Sequence, residues 1–122
     1  MGLTASIASA QEAPPTENKG LNVSPIAGFE LLKQGLKDFE QRQMRIRQIK
    51  IEPAGVAGFH SHGQRPALTY VLSGTLVEHR KGASDRTYKA GEVIVETTDV
   101  EDWAENKGTE TAVLISVDLF KE

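Results

Sequence analysis

Two of the chain's three histidines stand two residues apart, in His60-Ser61-His62. In an extended strand successive side chains alternate faces, so this pair points one way and can converge on a single ion. Imidazole is the commonest protein ligand for divalent transition metals, and the pair reads as part of a metal site. Cysteine is absent, which removes thiol nucleophiles, disulfides and cysteine-based zinc sites. Serines are plentiful, but neither a G-x-S-x-G elbow nor a phosphate-cradling glycine loop accompanies them.

A histidine pair needs a strand to aim it, and the surrounding pattern supplies strands. From Arg42 onward polar and apolar residues alternate, with Met44 and Ile46 on one phase and Ile49 and Ile51 on the other; a bulge near Arg47-Gln48 would reconcile them. Further strands are predicted over 67–72, 75–80, 87–89, 92–96, 103–105 and 111–120. In the last, Val113, Ile115, Val117 and Leu119 alternate against Ser116 and Asp118. Gly74, Gly82, Gly91 and Gly108 punctuate the joins at hairpin intervals, which predicts a sandwich or closed barrel. Between Phe29 and Phe39, Leu31, Leu32, Leu36 and Phe39 fit one short helix interrupted by Gly35. Residues 1–24 carry Pro14-Pro15 and no periodicity, so they are expected to be a disordered tail or linker with no part in the site, and 25–122 to be the folded barrel.

The segment from Gly55 through His60, His62 and Ala67 to Gly74 resembles the first cupin motif, G-x5-H-x-H-x3,4-E-x6-G, with the leading glycine one residue closer. Gly91 through Asn106 resembles the second motif, G-x5-P-x-G-x2-H-x3-N, with Gly91 and Asn106 in register. The chain thus resembles a small single-domain bacterial cupin over roughly residues 41–120. The resemblance implies an all-β, double-stranded β-helix barrel of the jelly-roll type. Ala67 stands where the family has its ligand glutamate, Asp102 where it has its third histidine, and Thr97 and Asp99 where it has proline and glycine. The implied ligand set is therefore His60, His62 and Asp102, two imidazoles and a carboxylate, as in non-haem iron centres with open positions.

Several residues are candidates around that set. Either Glu78 or His79 faces the barrel interior, and Glu78 there would compensate for Ala67; Glu96 and Glu101 read as solvated. Tyr70 and Glu78 are the candidate catalytic groups. Arg65, Tyr70 and Trp103 are candidate substrate contacts, Arg65 by a bidentate bond to a carboxylate.

At 122 residues and net charge −3 the chain fits one domain without the clustered basic excess of a nucleic-acid binder. Arg42, Arg45, Arg47 and Lys50 read as a solvated strand face. No run is long and apolar enough to span a bilayer as a helix. Residues 3–12 resemble the end of a secretory signal with Ala8-Ser9-Ala10 as an A-x-A cleavage pattern, which places the protein in the periplasm or outside the cell; read as a plain tail, the segment leaves it cytoplasmic. Two functions are in view. One is a cupin that binds Fe, Mn, Ni or Zn with a small organic ligand, as a dioxygenase, isomerase or lyase. The other is a metal-free module that binds or senses a small molecule. The resemblance also implies a homodimer.

Overall fold

The computed structural model describes residues 13–121, so the Ala8-Ser9-Ala10 pattern lies outside the described residues. Eight strands follow in order: β1 (Lys19–Glu30), β2 (Arg42–Ser61), β3 (Ala67–Ser73), β4 (Thr75–Arg80), β5 (Arg86–Lys89), β6 (Val93–Glu96), β7 (Glu101–Glu105) and β8 (Ala112–Lys121). They build one sheet in the order β5-β4-β7-β2-β8-β3-β6, with β1 added beside β2, curled into a nearly closed barrel. The long β2 serves both sides: Arg42 to Ile51 pair with β8, and Val56 to Ser61 pair with β7. Buried Asn106 secures the corner between these halves. Its amide donates to the carbonyls of Ile51 and Glu110, while its backbone N–H and C=O pair with Gly55 and Ala54.

Three expectations are corrected. The folded part begins before residue 25, because β1 starts at Lys19 and pairs with β2 along its length. This strand is mostly exposed, so its place is fixed by backbone hydrogen bonds and leaves no alternating apolar signature. In place of one helix over residues 29–39 there are two short 3-10 turns, Leu32–Gln34 and Lys37–Phe39. Leu31 alone of that apolar set is buried, so a longer helix would have no face to pack. The predicted bulge near Arg47-Gln48 does not interrupt the pairing with β8. That register runs unbroken from Arg42 opposite Lys121 to Ile51 opposite Ala112.

The unbroken register puts Arg45, Arg47, Ile49 and Ile51 on one face of β2. They stand opposite Asp118, Ser116, Leu114 and Ala112 of β8, all four buried. Toward one end of the barrel the interior is apolar, a cluster of Ile51, Val71, Leu76, Tyr88, Ile94, Ala112 and Leu114. Toward the other end the same strands bury His62, Thr69, Glu96, Asp102, Ser116 and Asp118.

Candidate metal centre

His60 is the next-to-last residue of β2 and His62 follows directly after its end, and the pairing with β7 sets Asp102 directly across from His60. Glu96 arrives from β6, where it is the cross-strand partner of Ala67 on β3. One donor atom from each of His60, His62, Glu96 and Asp102 falls within 4.8 Å of the others. His60 Nε2 lies 3.1 Å from His62 Nε2 and 3.3 Å from Asp102 Oδ1. His62 Nε2 lies 2.7 Å from Glu96 Oε2 and 3.4 Å from Asp102 Oδ1. Ligand bonds of about 2.0–2.1 Å to one ion set neighbouring donors roughly 2.9–3.4 Å apart, so this spacing suits a shared cation.

The far side of each ring is anchored. His60 Nδ1 sits 2.6 Å from the Gly58 carbonyl and His62 Nδ1 3.3 Å from that of Arg65. A carbonyl can only accept, so Nδ1 carries the proton on each ring and Nε2 turns inward, the arrangement that metal-binding histidines use. Asp102 Oδ1 is buried and has no hydrogen-bond partner among the described residues. Burial disfavours a charged His62, but the carboxylates of Asp102 and Glu96 outweigh it and raise its pKa to about 9. Burial likewise opposes ionisation of Asp102, yet contacts with His62 and neighbouring acids hold it well below the usual carboxylate range. Together these shifts describe a pocket that favours positive charge.

The sequence profile of the cupin domain family matches residues 47–118. The chain belongs to the cupin family. Among curated proteins none matches this cupin in sequence. Solved structures share its fold. A predicted oxalate decarboxylase from Thermotoga maritima is 19% identical with a TM-score of 0.67, covering 92% of this chain and 96% of its own. The Cupin_2 domain of an XRE family transcriptional regulator from Enterobacter cloacae is 13% identical with a TM-score of 0.62, covering 85% of this cupin and 100% of its own chain. Oxalate oxidase in complex with the substrate analogue glycolate is 17% identical with a TM-score of 0.63, over 82% of this cupin and 51% of that chain. At these identities the likeness establishes the fold alone.

In this cupin the site gathers some of the anticipated residues and leaves others out. His60, His62 and Asp102 converge. Glu96, expected in solvent, is 8% exposed and belongs to the cluster, its Oε1 3.0 Å from Thr69 Oγ1. Glu78 takes the inward position on β4 and lines the same cavity, held by Arg80 at 2.8 Å. Burial, reinforced by Asp102, raises its pKa to about 7 against the pull of Arg80. His79 points outward, stacked on Trp103 at 3.9 Å between Asp85 and Glu105. Trp103 and Tyr70 stand outside the cavity lining, because Asp102, Thr69 and Val71 beside them take the inward phase. Glu101 lies 3.7 Å from Lys81, outside the cluster.

Arg65 does line the cavity, and with it comes a group that the sequence reading placed in solvent. Arg45, Arg47 and Arg65 surround Asp118, whose side chain is fully buried. Burial would raise the Asp118 carboxyl, but Arg45 and Arg65 overcome it and hold the pKa below its ordinary value. The one available hint was Asp118 itself, an acid in a mostly apolar strand that three arginines could neutralise. The cavity measures about 360 Å³, and its far wall includes Ile49, Leu76, Ile94 and Leu114.

Proposed function

We propose that this cupin holds one divalent transition metal between His60, His62, Glu96 and Asp102, and a small organic molecule in the cavity beside it. The observation that carries this reading is the buried, unpartnered Asp102 Oδ1 facing two inward Nε2 atoms. A buried carboxylate oxygen that accepts no hydrogen bond is costly, and a cation shared by all four groups offsets that cost. When bound, such an ion supplies a Lewis acid for an oxygen of the ligand. The chain's own residues do the rest. The carbonyls of Gly58 and Arg65 orient the rings, Thr69 holds Glu96, and Ile49, Leu76, Ile94 and Leu114 give the cavity an apolar wall. Dioxygenase, isomerase and lyase chemistry all fit a centre of this kind, and Glu78, poised to exchange a proton near neutral pH, is the acid–base group closest to hand.

A second reading rests on the 2.7 Å contact between His62 and Glu96. With a proton on His62 Nε2 that pair is satisfied without an ion, and the barrel then serves as a metal-free binding or sensing module. Titration of Ni²⁺ or Zn²⁺ into tag-free wild type, His60→Ala and Glu96→Gln separates the two. The first reading expects about one ion per chain in the wild type and a loss above about 100-fold in His60→Ala, since even supporting residues cost 10–100-fold. Equal and weak binding by all three proteins would leave the second.

The proposal extends to a homodimer. Leu68, Val95 and Val117 align across β3, β6 and β8 on the outer face, followed by Tyr70 and Val93, and all five are exposed. A contiguous apolar patch of this kind supports a protein contact.

A further inference from the structure

The three arginines around Asp118 are not equivalent. Arg45 takes both carboxylate oxygens, Nε to Oδ1 at 2.8 Å and Nη2 to Oδ2 at 3.1 Å, and its guanidinium lies over the Phe120 ring at 3.7 Å. Arg65 donates to Oδ2 at 2.9 Å. Arg47 reaches the same, already shared oxygen at 3.4 Å, and its Nε is buried with no partner among the described residues. One aspartate cannot neutralise three guanidiniums, and the least satisfied of them, Arg47, lines the cavity with Arg65 and stands beside Ser116 and Thr69.

Charge points the same way. Leaving aside Glu78 and its partner Arg80, the interior carries Arg45, Arg47 and Arg65 against Asp118, Glu96 and Asp102. With both histidines neutral, as metal ligands must be, these balance before the ion is counted. A divalent ion at the histidine cluster leaves the interior two positive charges in excess, which an anionic ligand would offset. Neutral ligands would leave that excess uncompensated.

We infer that Arg47 is the recognition residue for a carboxylate, and that the cavity takes a small dicarboxylic acid with one carboxylate on the Arg47 guanidinium and the other directed to the histidine cluster. The second half of this inference rests on the metal reading above; the first does not. A planar guanidinium edge matches a carboxylate through two parallel hydrogen bonds, which an ammonium cannot reproduce. The volume of about 360 Å³ suits a ligand of this size, with Ile49 and Ile94 against its methylene groups. Asp118 and Arg45 then act as the support that keeps the Arg47 edge turned into the cavity.

Calorimetric titration of malonate, succinate and glutarate, each beside its uncharged diamide, tests this in Ni²⁺-loaded and metal-free protein. At least one acid should bind the wild type, and its diamide should bind about 10- to 100-fold more weakly. Arg47→Gln should lose the acid by a similar factor while keeping its Ni²⁺ affinity, and Arg47→Lys should recover only part. Equal binding of acid and diamide, equal binding by wild type and Arg47→Gln, or no binding of any acid overturns the inference. If Arg47→Gln fails to fold, Arg47→Lys carries the same comparison, and an unchanged acid affinity in that variant overturns the inference. Acid binding to metal-free protein that Arg47→Gln abolishes, with no Ni²⁺ bound at any stage, would retain the carboxylate site and remove the metal.

Discussion

Along the inward face of β2 the lining changes from Ile51 and Ile49 to Arg47 and Arg45, and on β8 it changes in step from Ala112 and Leu114 to Ser116 and Asp118. The apolar end is a closed cluster in which Val71 and Ala112 have no exposed surface at all. The other end buries charge instead. Burying apolar side chains contributes stability whatever the pH, whereas buried ion pairs at best offset their own desolvation. One stretch of barrel can therefore secure the fold while the next, four residues along each strand, is left to hold ligands.

The contrast breaks first at Asp118. Asp118→Ala would leave Arg45, Arg47 and Arg65 without their counter-charge and should cost about 3–5 kcal/mol in denaturant unfolding at pH 7. The sign of its pH dependence follows from the lowered pKa. A carboxyl depressed below an unfolded value of 3.8 stabilises fully above that value, and the contribution disappears as pH falls through the folded one. The gap between wild type and variant should therefore narrow in acid. Leu76→Ala at the apolar end, expected to cost about 2–5 kcal/mol, should show the same gap at both pH values. A pH-independent Asp118→Ala loss would mean that the two ends are stabilised alike.

A smaller effect is expected from restoring the family residue at position 67. In register, Ala67 lies between Asp118 on β8 and Glu96 on β6. Glu96 already supplies the carboxylate that Ala67 lacks, so Ala67→Glu would set a third acid in the row. It should cost about 1–3 kcal/mol and leave Ni²⁺ affinity no tighter than in the wild type. Tighter binding in calorimetry would show that Glu96 is not a ligand. Smallest of all, Tyr70→Ser on the outer face should change unfolding free energy within about 0.5 kcal/mol. By sedimentation it should shift a dimer toward monomer, and an unchanged association state would move the interface elsewhere.

The sequence made the strands from β2 to β8 legible because glycine-punctuated alternation survives burial of either polarity. The histidine pair and Asp102 were legible through motif spacing. Glu96 was not, since its role depends on facing Ala67 across two strands, a relation that no local pattern encodes. Arg45 and Arg47 were misplaced for a related reason: the apolar phase of β2 shifts because the barrel's filling changes, and the shift resembles a bulge. On β8 the exposed phase is the more apolar one, Val113, Ile115 and Val117, while Ser116 and Asp118 are buried. The strand β1 lacked any periodic signal to find.

Gly58 joins two parts of the molecule that the sequence kept apart. Its carbonyl orients His60, its N–H donates to Asn18 Oδ1 at 2.8 Å, and a Cβ there would stand 2.6 Å from the Thr16 carbonyl oxygen. The neighbouring Phe59 N–H donates to Pro15. The stretch before β1 is thereby threaded against the histidine strand at the cavity rim, where Thr16 and Asn18 line the opening. A single methyl group at position 58 would lift that stretch and tilt the His60 ring in one step, so the entrance and the chemistry behind it cannot vary independently in descendants of this chain.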